Sequence, residues 1–479
     1  MMDGTTAAAH DAAVALDLDL LGLPPRDWTP GTTGPDGRPA LDVLVIGAGM
    51  CGIAAAAALL MKGVRKIAVL DAAQPGFEGP WRTTARMLTL RSPKHLPGIA
   101  LGVPSLTFRA WFTARHGQAA WDGLYKILNA DWQDYLSWLQ RVLALPVAHG
   151  VAVRRVRPLG GLFAVETNAG VRHARHVVLA TGREGAGGLA IPGFVDRALW
   201  TGRAAHTGEA IDFSRLAGRR VAVLGANASA FDAAAAALEA GAAAVDMFAR
   251  RPTLPQVNKS RGATNPGYFE GWSALAPEAR WRLAVWLHDE RSPPPHESVH
   301  RVLAHPGFRL HLGCPVAAAR PAAGGVALEV PGGVREADFL VVATGFFVDL
   351  AARPELADLV PHAARWGDAC PPPPGLAREE LAGFPFLGPG FEMTELVAGA
   401  CPDLARLHVF NHAAHVSMGP IASDIPGVSA AAGLLSTAIV RALFVDGQAA
   451  LQARLAAFAE PELESTPFFA PEALPPGAA

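Results

Sequence analysis

Residues 41–71 read LDVLVIGAGMCGIAAAAALLMKGVRKIAVLD, and this stretch decides the fold. Leu41 to Ile46 is a continuous apolar run ending on glycine, as a buried parallel strand does. Gly47-Ala48-Gly49-Met50-Cys51-Gly52 follows, a full GxGxxG, and the alanines Ala54 to Ala58 carry a helix behind it. Lys66 to Leu70 is the next strand and ends on Asp71. In such a unit the first glycine makes the turn and the second lets a pyrophosphate reach the backbone. The third lets helix and strand pack closely. The N–H groups around Met50 and Cys51, with the positive end of the helix, suit phosphate. Asp71 lies 19 positions beyond Gly52, where it can accept from ribose hydroxyls. Cys51 is read as a small packing residue within a cofactor loop.

The pattern returns downstream. Arg220 to Leu224 runs into Gly225-Ala226-Asn227-Ala228-Ser229-Ala230, then Ala233 to Ala237, then a strand over Ala244 to Ala249. Asn227 and Ala230 replace the second and third glycines; asparagine tolerates left-handed backbone angles, which keeps the turn feasible. Where the first unit ends on an acid, this one ends on Arg250 and Arg251. Guanidinium groups there suit a 2′-phosphate and favour NADP over NAD. The acidic-ended site suits the unphosphorylated ribose of FAD. A chain holding both dinucleotides implies hydride transfer from NADPH to flavin. Each unit is followed by a buried strand ending in Ala-Thr-Gly, at Thr181-Gly182 and Thr344-Gly345.

Composition narrows the alternatives. The 479 residues carry 41 Lys plus Arg against 43 Asp plus Glu, a net charge of −2. That balance gives no reason to expect nucleic acid or an anionic membrane as partner. Apolar residues make up 51% and charged residues 18%, so a large core is affordable and disorder is not indicated. Cys51, Cys314, Cys370 and Cys401 form no CxxC pair, which argues against a dithiol centre and a cysteine zinc site. The N-terminus holds Asp3, Asp11, Asp17 and Asp19 without a basic segment, and the apolar runs read as too short to span a bilayer. A cytoplasmic protein is expected.

Alternating strands and helices predict an α/β fold with two Rossmann-like dinucleotide-binding domains, the first interrupted by the second. Residues 1–40 read as an N-terminal arm with a helix over Thr6 to Leu20. Residues 41–205 form the first part of the FAD domain, with a Trp-rich helical insert at about 77–146. Residues 206–338 form the NADPH domain, 339–460 the second part of the FAD domain, and 461–479 a poorly ordered tail. A helix is expected within Asp122 to Leu145, a hairpin over Val151 to Val165, and a long helix over Val428 to Phe444.

With these motifs the sequence resembles the class B flavin-dependent monooxygenases. These include flavin-containing, Baeyer–Villiger and N-hydroxylating ornithine and lysine monooxygenases. Trp200 to His206 is similar to the family's FxGxxxH fingerprint, with Trp in the Phe position and Ala210 where a later Trp stands. Met87-Leu88-Thr89 and Leu106 to Phe112 resemble the segment lining flavin and substrate in the N-hydroxylating branch. The resemblance implies FAD and NADPH as cofactors, a C4a-hydroperoxyflavin, and a small-molecule substrate oxygenated with O2 at a heteroatom. Amine N-hydroxylation is the leading form, with S-oxygenation and Baeyer–Villiger chemistry as variants, and a homo-oligomer is compatible with it. A flavoprotein reductase passing electrons to a partner, or a protein using FAD structurally, are the alternatives. Lys94 is the nearest equivalent of the substrate lysine of the N-hydroxylating branch.

Further site residues follow. Trp81 is read as a cover for the flavin or as a core residue, with Arg82 beside it. Met87 is placed with the cofactor. Arg86, Arg91 and Lys94 form a basic cluster for FAD phosphate, NADP or an acidic substrate. Asn258 and Lys259 lie just past the NADP-selecting arginines and are placed on NADP or substrate. Asp424, ahead of the last long helix, is placed at flavin or substrate, or caps that helix. A metal reading of His412 and His415 is disfavoured for want of a carboxylate at helical spacing.

Overall fold

The computed structural model describes residues 4–474. It opens with the helix Gly4–Leu20, followed by an extended arm. The helix docks on the Trp-rich insert: His10 stacks on Trp138 at 5.0 Å, and Asp11 accepts from the Trp138 indole at 2.7 Å.

β1 (Leu41–Ile46) pairs in parallel with β2 (Ile67–Leu70), which pairs with β3 (Val147–Ala148). The expected hairpin forms as β4 (Val153–Pro158) and β5 (Phe163–Thr167). β6 (Gly170–Leu179) joins both halves of the sheet. Its first half lies antiparallel to β5, and its second half runs parallel to β1. The chain leaves through β7 (Gly187–Leu189) and builds a second, parallel sheet from β8 (Ala204–His206), β9 (Arg220–Leu224), β10 (Ala244–Phe248) and β11 (Phe308–His311). A three-stranded antiparallel flap follows, β12 (Ala318–Ala322), β13 (Gly325–Val330) and β14 (Gly333–Ala337).

β15 (Phe339–Val342) then slots between β8 and β9. The domain boundary expected between 338 and 339 therefore lies after Val342. All four residues of FLVV are buried, and two parallel neighbours in the second sheet satisfy their backbone. β8 likewise places Ala204 and Ala205 in the second domain. β16 (Phe346–Val348) pairs with β7, so the outgoing and returning crossings form one ribbon. β17 (Leu407–Val409) returns to the first sheet beside the second half of β6.

The alanine run works as a spacer. Ala54 to Ala58 are at most 5% exposed in the helix Met50–Leu60, which packs against the helix Val428–Asp446. Adding methyl groups there would overpack the layer, at about 1–3 kcal/mol. Val428–Asp446 is long and apolar enough to cross a membrane, contrary to the reading of short apolar runs; its buried residues include Val428, Ala431, Leu435, Ile439 and Leu443, which join the core. The helix expected within 122–145 forms over Asn129–Val142. Leu128 is held extended because Leu90 N–H donates to the Ile127 carbonyl and Asn129 N–H to the Leu88 carbonyl. Tertiary pairing overrides helical periodicity there. Described residues of the tail form turns and one short 3₁₀ turn, Pro471–Ala473; 475–479 lie outside the described residues.

Candidate functional site

The C-terminal ends of β1, β6 and β17 lie side by side, so the loops leaving them share one edge of the sheet. Ligands of open α/β sheets bind at such an edge. Gly47 takes φ +103°, and a Cβ there would stand 2.5 Å from the Ala180 carbonyl. A Cβ on Gly52 would stand 1.8 Å from the Gly47 carbonyl, which forbids any side chain. Gly49 differs: its φ is −67°, and its nearest neighbour would be Gly79 Cα at 3.8 Å. It leaves open space above a helix N-terminus that no side chain caps. Those free N–H groups fit the FAD pyrophosphate.

Asp71 does more than the ribose reading foresaw. One carboxylate oxygen accepts from Ala48 N–H at 2.6 Å and the other from Ala73 N–H at 2.8 Å, bracing the loop. Remaining lone pairs are available to a ribose. The Cys51 thiol donates to the Ala422 carbonyl at 2.6 Å, and burial pushes its pKa up to about 12. Cys51 is thus a packing residue that ties the glycine loop to the loop after β17. Trp81 presents a buried indole N–H with no partner, and its ring meets Trp132 edge-on at 6.3 Å. An orphaned donor beside the glycine loop is consistent with a group arriving there.

The second loop has the same frame. Gly225 takes φ +118°, and a Cβ would meet the Ala343 carbonyl at 2.6 Å. Asn227 does not adopt the left-handed angles expected of it. Its φ of −93° and ψ of −178° are extended, matching its counterpart Gly49 in being the helix N-cap. Any residue can adopt that backbone, so the substitution is conformationally free. The Asn227 side chain makes no cap bond, leaving the N–H groups near Ala228 and Ser229 for a phosphate, while Ala230 is buried. Arg250 and Arg251 form no ion pair among the described residues. Burial, then the charges of Arg291 and Arg250, push the Arg251 pKa down. Arg291, just past the helix Pro277–Glu290, is the third member of a positive cluster that the sequence did not mark. These residues fit a 2′-phosphate.

Residues from three elements form one electrostatically coupled group. Arg183 follows Thr181-Gly182 at the end of β6. Asp424 and the histidines His412 and His415 lie after β17. Tyr268 comes from the helix Pro266–Gly271 of the second domain. Arg183 and Asp424 are both solvent-exposed. Burial pushes Asp424 up to about 6, against the opposing pull of Arg183 and of the Ile425 N–H. Burial holds the Arg183 pKa down, with Arg91 adding to the effect and Asp424 opposing it. His415 is lowered to about 4 and His412 well below its ordinary value, both by burial first and Arg183 second. Both imidazoles are neutral at pH 7. Burial, then Asp424, raises Tyr268 to about 12, and its buried hydroxyl has no partner. Thr181 braces the edge by accepting from the Asn411 amide at 3.0 Å, and Gly182 (φ +69°) and Gly345 (φ +85°) turn the chain after both central strands. Thr344 donates to the Ala190 carbonyl across the β7–β16 ribbon.

Other residues are held elsewhere. Lys94 is held apart from this group: its ammonium donates to the Trp121 carbonyl at 2.7 Å and lies over the Trp121 ring. Arg82 pairs with Asp134 at 2.5 Å. Met87 offers its carbonyl to the Asn129 amide and packs its side chain against the core. Arg91 bonds Asp232 at 3.2 Å, and Arg86 donates to the Thr207 and Glu209 carbonyls. Asp232 also accepts from Ser298 at 2.5 Å, and Arg301 donates to the Arg86 carbonyl at 3.0 Å. The basic loop is thus a clamp between domains. Asn258 keeps a buried amide oxygen without a partner, and Lys259 lies 5.9 Å from the Trp286 ring. Trp200 and the His206 N–H both bond the Glu209 carboxylate, closing the fingerprint turn. Arg183, Tyr268 and Arg291 are the residues that sequence reasoning missed. Only Arg183, directly after Ala-Thr-Gly, carried a local signal.

Comparisons with known proteins agree with this frame. The model of the pyridine nucleotide-disulphide oxidoreductase family matches residues 44–265. A FAD-dependent urate hydroxylase from Xanthomonas campestris pv. campestris is 38% identical over 447 residues, 93% of this chain and 94% of that protein. Among solved structures, an ornithine hydroxylase from Pseudomonas aeruginosa superposes with a TM-score of 0.65 at 18% identity, over 84% of this chain and 100% of its own. L-lysine 6-monooxygenase from Pseudomonas syringae gives 0.65 at 21% identity, over 84% and 99%. An ornithine N-hydroxylase from Kutzneria sp. 744, solved with reduced FAD, NADP+ and L-ornithine, gives 0.65 at 17% identity, over 84% and 100%. The structural likenesses establish a shared fold.

Proposed function

The chain belongs to the class B flavin-dependent monooxygenases, and from that premise we propose that it uses NADPH, FAD and O2 to hydroxylate a small, nitrogen-rich molecule of the urate kind. One oxygen atom of O2 enters the substrate and the other leaves as water, with two electrons from NADPH and one added proton closing the balance. The observation that carries this reading is the pair of uncapped helix N-termini with opposite selectors, Asp71 at one and Arg250 with Arg251 at the other. The urate kind of substrate is favoured by the 38% identical relative.

Bound FAD would supply the redox chemistry and the activation of O2. The chain's part is placement. Gly47 to Gly52 would seat the pyrophosphate, Asp71 the ribose, and Arg250, Arg251 and Arg291 the 2′-phosphate of NADPH. The half-buried, neutral His412 and His415 add no charge beside Arg183. A disulfide-reducing role is disfavoured because all four cysteines are free and far apart in sequence, and the Cys51 thiol is raised to about 12. Amine N-hydroxylation is the second reading, favoured by Asp424, whose carboxylate could hold an alkylammonium. Incubation with 18O2 and NADPH, once with urate and once with ornithine, lysine or putrescine, separates the two. One 18O atom in a urate product is expected. Label appearing only in a hydroxylamine would replace the first reading with the second, and label in neither would remove both.

A further inference from the structure

The two domains touch through contacts of two kinds. One is apolar: Trp272 and Trp281 of the second domain bury in one cluster with Trp366 and Phe384 of the returning chain. The other is polar and gathers on two helices of the second domain, Ala228–Glu239 and His296–Leu303, which pack on each other. Asp232 is its hub, buried just over one turn inside the helix that follows the second glycine loop. One carboxylate oxygen accepts from Arg91 of the first domain at 3.2 Å, the other from Ser298 at 2.5 Å. Arg301 stands 3.8 Å from the same carboxylate, holds Glu239 at 2.7 Å, and donates across the domains to the Arg86 carbonyl at 3.0 Å. Glu297, beside Ser298, accepts from Tyr125 at 2.7 Å and from Lys126 at 2.6 Å, both on the insert of the first domain. Two separate stretches of the first domain, 86–91 and 125–126, thus tie down the same helix pair.

The chemistry of this contact makes it conditional. A buried carboxylate is costly unless its lone pairs are taken, so Asp232 depends on its partners. The Arg91 side chain is 49% exposed, and such a charged contact yields more readily than packed tryptophans. Placement then gives it a consequence. The helix Ala228–Glu239 begins at the N–H groups that fit the pyrophosphate of NADPH. The nicotinamide is at the far end of that dinucleotide and must reach a flavin held by the other domain. A tilt of the helix is carried along the whole ligand. Reacting atoms need to lie about 3–3.5 Å apart, and a displacement of about 1 Å can cost on the order of 100-fold in rate.

We infer that Asp232 and Arg91 are positioning residues for hydride transfer, their ion pair fixing the helix that seats NADPH against the domain that seats FAD. In that transfer two electrons and one proton pass together from NADPH to the flavin, and a second proton comes from water. The pair acts through the helix: Arg250 and Arg251 set how tightly the dinucleotide binds, while Asp232 and Arg91 set how closely it approaches. This inference rests on the reading of the chain as an NADPH- and FAD-dependent enzyme.

The test uses FAD-loaded protein at pH 7.5 and three measurements. They are the anaerobic rate constant of flavin reduction at saturating NADPH, NADP+ affinity by calorimetry, and backbone hydrogen exchange over 84–92 and 296–303 without nucleotide. Arg91→Ala removes the exposed member and leaves Asp232 with Ser298 and Arg301; FAD content and thermal midpoint show that it has folded. Reduction at least 10-fold slower is expected, with NADP+ affinity within about 3-fold of wild type and faster exchange in both segments. Arg91→Lys should recover part of the rate. Glu297→Gln, on the other tie, should slow reduction less; it is read in the same way and decides the matter if Arg91→Ala loses its FAD. Reduction by dithionite, which needs no nucleotide, should match wild type in every variant. An unchanged rate with NADPH, unchanged exchange, or a loss of NADP+ affinity at an unchanged rate overturns the inference, the last by making Arg91 a direct ligand of the dinucleotide. Slower reduction by dithionite also overturns it, by placing the effect on the flavin itself. Wild-type flavin that NADPH does not bleach removes the enzyme reading; bleaching at the same rate in wild type and Arg91→Ala removes only the positioning role.

Discussion

The two glycine loops share a frame and differ in tolerance. Both use a left-handed first glycine because its Cβ would strike the carbonyl of the neighbouring central strand, Ala180 in one and Ala343 in the other. At the third position they part. Gly52 has no room for a Cβ, with the Gly47 carbonyl 1.8 Å from where it would stand, whereas Ala230 fits buried in the second loop. The first loop is also tied down from outside, by Asp71 through Ala48 and by Ala422 through Cys51. The second ends on arginines that crowd each other and close no ion pair. The first loop is the tighter frame, and the second is looser and positively charged at its end.

That contrast can be broken, starting with its strongest element. Gly52→Ala is expected to abolish FAD retention, read from the flavin-to-protein absorbance ratio. A variant that keeps a full complement of flavin would show the first loop to be no tighter than the second. Next, replacing Arg250 and Arg251 together by Ala removes charge-assisted bonds worth about 1.5–3 kcal/mol each. The KM for NADPH should rise 10-fold or more while that for NADH barely moves. Equal changes in the two would take the 2′-phosphate away from these arginines.

A smaller effect concerns pH. Asp424 is faced by Arg183 from the end of β6, by Tyr268 from the second domain and by the Ile425 N–H of its own loop; Arg183 in turn is faced by Arg91, His412 and His415. Below about 6 the carboxyl is protonated and cannot accept as a carboxylate. Substrate binding should therefore rise with pH through about 6 and level off above it. Asp424→Asn should flatten that limb. The sign for stability is opposite. A folded-state pKa raised from 3.8 favours the protonated form, so this contribution is fully present below about 3.8 and is lost as pH rises through about 6. The smallest expected effect is that of Ala230→Gly. It should cost about 1 kcal/mol through helix propensity and lower the thermal midpoint slightly, with NADPH affinity within a few-fold of wild type.

The contrast also explains what the sequence disclosed. The strands, both loops and their charged ends are local patterns, and LDVLVIGAGMCG carries its geometry in consecutive residues. The coupled polar group is not local. Arg183 and Asp424 influence each other because β17 returns to the side of β6 after the chain has built a whole second domain. Tyr268 reaches them from within that domain. Arg86, Arg91 and Lys94 read as one basic cluster, with Arg82 nearby beside Trp81, because they are neighbours in sequence. In the fold they separate, to Asp134, to the second domain and to the Trp121 carbonyl. The helix expected within 122–145 forms, but it starts only at Asn129 because Leu88 and Leu90, far upstream, pair with the backbone at Ile127 and Asn129 and leave Leu128 extended. Asn227 was read as a left-handed turn residue by analogy with glycine, but the position is extended in both loops.

The most direct test of the two-loop account is anaerobic stopped-flow mixing of the FAD-loaded protein with NADPH and, separately, with NADH. Bleaching of the flavin by NADPH at concentrations at least 10-fold below those needed with NADH is the predicted result. No bleaching by either nucleotide, or a preference for NADH, would contradict it.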